Sequence, residues 1–211
     1  MNSFLLSARK KINKNIIFIF AIVLFPHNTL LPQEEPYFYH GKDYGSEAMY
    51  NPINVILNGS FDILQLDEKE RKISKLRVGS GFNNVFKNLG DPFSTISRYG
   101  WPEFTRNELL PIEFRKQYAQ WWPNYELHLV GGGMTYTALK EWYQQHNFPV
   151  PALMSMTTVA FYELLNEAVE NQAYKGDNAD PISDVYVFDI GGIILFSFDG
   201  VNKFFKEELN M

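Results

Sequence analysis

Apolar residues recur at three- and four-residue spacing along most of the chain, while strict alternation is rare, so the pattern favours helices over strands. Ile53, Ile56, Leu57, Phe61 and Leu64 keep that spacing. They predict an amphipathic helix over 52–66, with Asn51 as its cap and Pro52 at the first helical position. The charged run DEKERK, 67–72, reads as its solvated end or a turn. Val85, Phe86, Leu89, Phe93 and Ile96 predict helix over 83–98, broken or kinked at Gly90-Asp91-Pro92. Between these lies KLRVGSGF, 75–82, whose two glycines allow a short hairpin. Residues 34–50 show no sustained period and read as an extended entry segment. Residues 100–123 read as a linker rich in Pro and Trp, in which Trp121 and Trp122 either sit at a membrane interface or plug one end of the core.

The C-terminal half is more regular. Helices are predicted over 124–145 and 151–172, with a turn at HNFPVP between them. A third starts with Asp180 as cap and Pro181 in its first turn and runs to about 198. A short helix, VNKFFKEELN, follows. The predicted fold class is all-α: an N-terminal signal segment followed by a helical bundle with glycine-mediated close packing. Three regions are expected, namely a signal peptide or anchor at 1–33, a helical and loop region at 34–123, and a C-terminal helical unit at 124–211.

Glycines suggest how that unit packs. ELHLVGGGMTYTALKEWY, 126–143, places three consecutive glycines in a helical pattern, at a cost of roughly 3 kcal/mol in helix propensity. His128, Gly131, Gly132 and Thr135 form one narrow stripe, and Gly191 with Gly192 forms another. Small residues let helix backbones approach closely, so these glycines are expected to form a helix interface. A phosphate-cradling loop fails on context, because no GK[ST] follows and no strand precedes.

Composition and charge add a location. The chain has 211 residues, 45% of them hydrophobic and 16% aromatic, as a folded chain requires. Residues 1–33 contain Arg9, Lys10, Lys11 and Lys14 and no acid, followed by the apolar run IIFIFAIVLF. That is the order of a secretory signal, and the run is too short to span a bilayer comfortably. HNTLLPQEEP offers no clear small-x-small cleavage site, which leaves an uncleaved anchor as the alternative. The chain carries 19 Lys+Arg against 24 Asp+Glu; without the four leader cations, 15 against 24 leaves a net charge of −9. Nucleic-acid binding is not expected from so acidic a chain. Cysteine is absent, which excludes disulfides, thiolate metal sites and a lipidated cysteine. Export without cysteine points to a bacterial envelope.

Candidate chemistry comes from acids placed against apolar sequence. Glu163, Glu167 and Glu170 share one helix face after ALMSMTTVAFY. Asp184 falls early in the next helix, and Asp189 sits between Phe188 and Ile190. A solvated face would explain the glutamates and a favourable helix-dipole position Asp184, whereas a buried Asp189 needs a partner. Short turns make the three helices antiparallel neighbours, so His128, Glu167 and Asp184 are expected at one end of the bundle. Three uses remain open for them: a structural hydrogen-bonded network, an acid/base or ligand-binding cluster, and a divalent-cation site. No HEXXH or EXXH spacing, reactive cysteine or G-x-S-x-G elbow is present, and no cofactor is implied.

YELHLVGGG with His128, NEAVENQ with Glu167 and Glu170, and PISDVYVFDIGG with Asp184, Gly191 and Gly192 together resemble the VanZ-like families of bacterial envelope proteins and related helical periplasmic or lipoprotein families. The resemblance covers about residues 124–198. Tyr125-Glu126-Leu127 stands where those families often have Asp-Lys. It implies an envelope-associated helical module, connected in some members to glycopeptide-antibiotic resistance, and carries no established reaction. The expectation is an exported, membrane-associated protein with a structural or envelope-maintenance role and a membrane or envelope lipid as partner. The alternative is a hydrolase or transferase acting on a lipid or cell-wall precursor, with His128 and Glu167 as acid/base candidates and Asp184 orienting the histidine.

Overall fold

The computed structural model describes residues 35–41, 44–61, 72–173 and 176–211. The predicted leader, and the charged run apart from Lys72, lie outside them. The described residues are helical and contain no strand. In chain order they form α1 (Tyr44–Tyr50), α2 (Pro52–Phe61), α3 (Val78–Gly90), α4 (Pro92–Tyr99), α5 (101–109), α6 (121–145), α7 (Pro151–Glu170), α8 (Asp180–Leu195) and α9 (Asp199–Glu208).

α7 is the central element and packs against α2, α3 and α6, while α8 lies on α6. Two apolar cores flank it. Tyr39, Val55, Tyr136, Leu139, Trp142, Tyr143, Val159 and Tyr162 fill the space between α2, α6 and α7. Val85, Leu89, Ile96, Phe104, Ala179 and Ile182 join α3, α4 and α5 to the start of α8.

Asn51 caps α2 as its sequence suggests, its side-chain oxygen accepting the Ile53 N–H at 3.0 Å. α3 and α4 break at Asp91, ahead of Pro92. Elsewhere tertiary contacts override the local signal. No hairpin forms at 75–82: a short 3-10 turn, Ile73–Lys75, leads to α3, which begins at Val78. Gly81 there is a packing residue, since a Cβ on it would lie 1.7 Å from the Ala168 carbonyl oxygen of α7. The entry segment is irregular only over 35–41 and then forms α1. Its start is fixed by the buried Glu141 carboxylate, which accepts N–H bonds from Tyr37, Phe38 and Tyr39 at 2.7, 3.0 and 2.9 Å. The expected linker contains α5. Trp122 does not plug the core, being 60% exposed, and Trp121 bonds the Glu113 carbonyl at 2.7 Å.

The glycine interface is real but displaced. At Gly132 a Cβ would meet Glu163 Oε1 at 3.6 Å, an ordinary contact. At Gly133 it would lie 2.3 Å from the Phe196 ring and 2.9 Å from the Gly192 carbonyl oxygen. At Gly192 it would lie 2.5 Å from the Leu129 carbonyl oxygen. Gly133 and Gly192 are therefore the residues that let α6 and α8 touch backbone to backbone, and Gly132 leaves room beside a carboxylate.

Candidate functional site

The close approach of α6 and α8 seats two widened helical segments against each other. Asn124–Gly132 in α6 and Asp184–Asp189 in α8 are π-helical, their N–H groups reaching back five residues instead of four, and the two segments are in contact. This geometry decides which acids meet. In an α-helix, residues five apart point about 140° away from each other. The wider turn brings Asp184 and Asp189 onto one face, and both reach His128.

His128 stands at the centre with its side chain 15% exposed. Its Nδ1 lies 2.9 Å from Asp189 Oδ1 and 3.5 Å from Glu163 Oε2, and its Nε2 lies 3.9 Å from Asp184 Oδ2. Glu167 completes a second group: its ligand atom, with those of His128 and Asp184, lies within 4.8 Å of the others. Glu163, Glu167, Asp184 and Asp189 are all buried. Glu167 is the least satisfied. Its Oε2 accepts from the Asn171 amide at 3.2 Å, while its buried Oε1 has no hydrogen-bond partner.

Burial works against a charged imidazole, but the Asp189 hydrogen bond and the charges of Glu163, Asp189 and Glu167 outweigh it and push His128 up to about 10. Burial, followed by repulsion from Asp180 and its neighbours, raises Glu167 and Asp184 well above the usual carboxylate range. Burial also raises Asp189, against the opposing pull of His128. Burial thus opposes ionisation of these carboxyl groups, while the acids around His128 favour its protonated imidazole.

His128, Glu167 and Asp184 thus come together as their helix positions suggest. Their roles differ from the expected ones in one respect. Asp189, not Asp184, makes the short bond that would orient the ring, and it was hidden because α-helical spacing turns it away from Asp184. Glu163 is buried beside it, whereas Glu170 is exposed. Asp180 is not a side-chain cap: Ala179 occupies that position, and no side-chain cap bond forms. Glu108 went unnoticed in the sequence, where nothing distinguishes it. It is 4% exposed, accepts from the Tyr99 hydroxyl at 3.0 Å and has an unpartnered Oε2. Burial, with the charges of Asp180 and Glu170, pushes it up to about 7.

Chemically, the Nδ1–Asp189 bond fixes the ring in the way that carboxylates orient metal-binding histidines. With the Nδ1 proton directed at Asp189, Nε2 faces Asp184 and Glu167. One imidazole nitrogen and two carboxylates suit Zn2+ or Mn2+, and three protein ligands leave a position for water. The potential that holds a proton on His128 attracts a doubly charged cation more strongly. No family model, curated protein or solved structure matches the chain.

Proposed function

We propose that this protein is a divalent-cation-binding helical module of the bacterial cell envelope, with His128 Nε2, Glu167 and Asp184 as ligands and Asp189 as the orienting partner of His128. The observation that carries the reading is Glu167 Oε1, a buried carboxylate oxygen without a hydrogen-bond partner in a group that has metal-ligand spacing. Leaving such an atom unsatisfied costs about 1–3 kcal/mol or more, and a bound cation removes that cost. Full-length protein purified without chelator is expected to carry near-stoichiometric Zn2+ or Mn2+ by elemental analysis. Protein that is metal-free as purified, and that takes up neither ion in equilibrium dialysis, would overturn the reading.

The envelope location rests on the basic-then-apolar order of residues 1–33. Exposed Phe114 and Trp122, at 75% and 60%, supply apolar surface of the kind that lies against lipid. Among the described residues no single helix is long and apolar enough to cross a membrane; Asp180–Leu195 and Asp199–Glu208, bent by 84°, meet that test only as a pair. Fractionation of cells expressing a tagged copy is expected to recover the protein with envelope membranes, and recovery solely in the cytosol would contradict this. A second reading, a hydrolase or transferase acting on a lipid or cell-wall precursor, is favoured by a polar cavity of about 440 Å³ whose wall includes Glu170 and Asp180. In that reading the acid/base candidates are His128 and Glu167, which stand behind the cavity wall, the Glu167 carboxylate lying within 4.8 Å of those of Glu170 and Asp180.

A further inference from the structure

The carboxylates do not stop at Asp184. Glu167 also belongs to a group with Glu170 and Asp180, whose ligand atoms lie within 4.8 Å of one another. Glu170 and Asp180 line the 440 Å³ cavity, and Glu108 stands in the same wall. Two buried side-chain oxygens among the described residues lack a hydrogen-bond partner, Glu108 Oε2 and Glu167 Oε1. One belongs to each of the two glutamates next to the Glu170–Asp180 pair. Chance placement of both orphans along one string of acids is a poor explanation, because buried polar atoms are nearly always paired. Among the described residues the remaining cavity wall is built from amides and phenols, including Asn107, Asn171 and Tyr118, with no Lys or Arg. Such described residues offer an anion no cationic partner and a cation many oxygens.

We infer that Glu167, Glu170 and Asp180 form a second cation position, open to the cavity, that takes a hard ion such as Ca2+ with Glu108 and neighbouring amide oxygens completing its shell. Oxygen donors alone, in greater number than a tetrahedral site supplies, select Ca2+ over Zn2+. Glu167 then lies between an inner ion at His128 and an outer ion at the cavity. This position rests on the inner cation reading only through that shared carboxylate, and Glu170 and Asp180 are its own.

Terbium, which replaces Ca2+ and emits when a nearby phenol or indole absorbs, provides the test, since Tyr99 and Tyr118 line the cavity. Full-length protein is stripped with chelator, preloaded with Zn2+ and titrated with Tb3+. Saturable emission that Ca2+ displaces is expected. Glu170→Gln, a change at an exposed residue, should weaken Tb3+ binding at least tenfold, and Glu108→Gln should weaken it too. His128→Asn should lose Zn2+ and bind Tb3+ at least as tightly as the Zn2+-loaded protein, because no inner cation then competes for Glu167. Absence of Ca2+-displaceable emission, or unchanged affinity in Glu170→Gln, would overturn the outer position. Retention of Tb3+ by a protein that never binds Zn2+ would support the outer position and contradict the inner one.

Discussion

Glu141 on α6 and Glu167 on α7 are both buried glutamates, 6% and 1% exposed, and the fold treats them in opposite ways. Glu141 receives three backbone N–H groups of the entry segment, all within 3.0 Å. Glu167 receives one amide, and its other oxygen meets nothing while further carboxylates surround it. A carboxylate saturated by N–H donors is a structural bolt, because charge-assisted bonds replace its lost hydration. A carboxylate left half-satisfied among other acids is destabilising by itself. The contrast separates the part of the molecule built to hold its shape from the part built to hold something else.

The largest expected effect breaks that contrast at its structural end. Glu141→Ala strands three N–H groups and should cost at least about 3 kcal/mol, given about 1.5–3 kcal/mol for a hydrogen bond to a charged group. Urea denaturation of chelator-treated protein measures it. Glu167→Gln under the same conditions should be neutral or stabilising, since it removes a buried acid from its like-charged neighbours. Equal losses for the two variants would erase the distinction.

The glycines give the next effect. Gly192→Ala places a methyl 2.5 Å from a backbone oxygen that cannot move aside, and should cost about 1–3 kcal/mol. Gly132→Ala has only ordinary contacts at 3.6 Å and beyond and gains helix propensity of up to about 1 kcal/mol. It should leave stability unchanged or slightly higher by thermal denaturation.

Stability against pH sharpens the comparison further. A histidine whose folded value is raised to about 10 contributes fully below its unfolded value of about 6.5, and that contribution disappears as pH rises towards 10. Glu108, raised to about 7, acts in the same direction, its contribution fading between about 4.3 and 7. Metal-free protein should therefore lose stability steadily from mildly acidic to alkaline pH. His128→Asn should flatten the upper half of that slope, between about pH 6.5 and 10. The smallest effect is at the surface, where Asp177 bridges Arg98 and Lys87, side chains 50% and 56% exposed. Asp177→Asn should cost no more than about 1 kcal/mol and leave metal content unchanged.

The sequence made the helices of the C-terminal half legible because apolar spacing there is long and regular. It also placed His128, Glu167 and Asp184 together, because short turns force neighbouring helices antiparallel. Asp189 was legible as an oddity but not as the partner of His128. That pairing depends on a π-helical turn, and an apolar run reads the same with four- or five-residue hydrogen bonds. The glycines of KLRVGSGF suggested a turn because local propensity cannot report that Gly81 meets a backbone on α7, 87 residues later. Glu108 was invisible for the same reason: its burial is produced by elements distant from it in the chain.

Glu167 offers the most direct test of the cation reading. Thermal unfolding of the full-length, chelator-stripped protein is followed with and without added Zn2+ or Mn2+, alongside Glu167→Gln. A ligand that binds only the folded state raises the midpoint, by about 2.7 kcal/mol of stability at a concentration one hundred times its Kd. The wild-type midpoint should rise with cation, and that of Glu167→Gln should not. A wild-type midpoint indifferent to both ions, or an equal rise in the variant, would contradict the account.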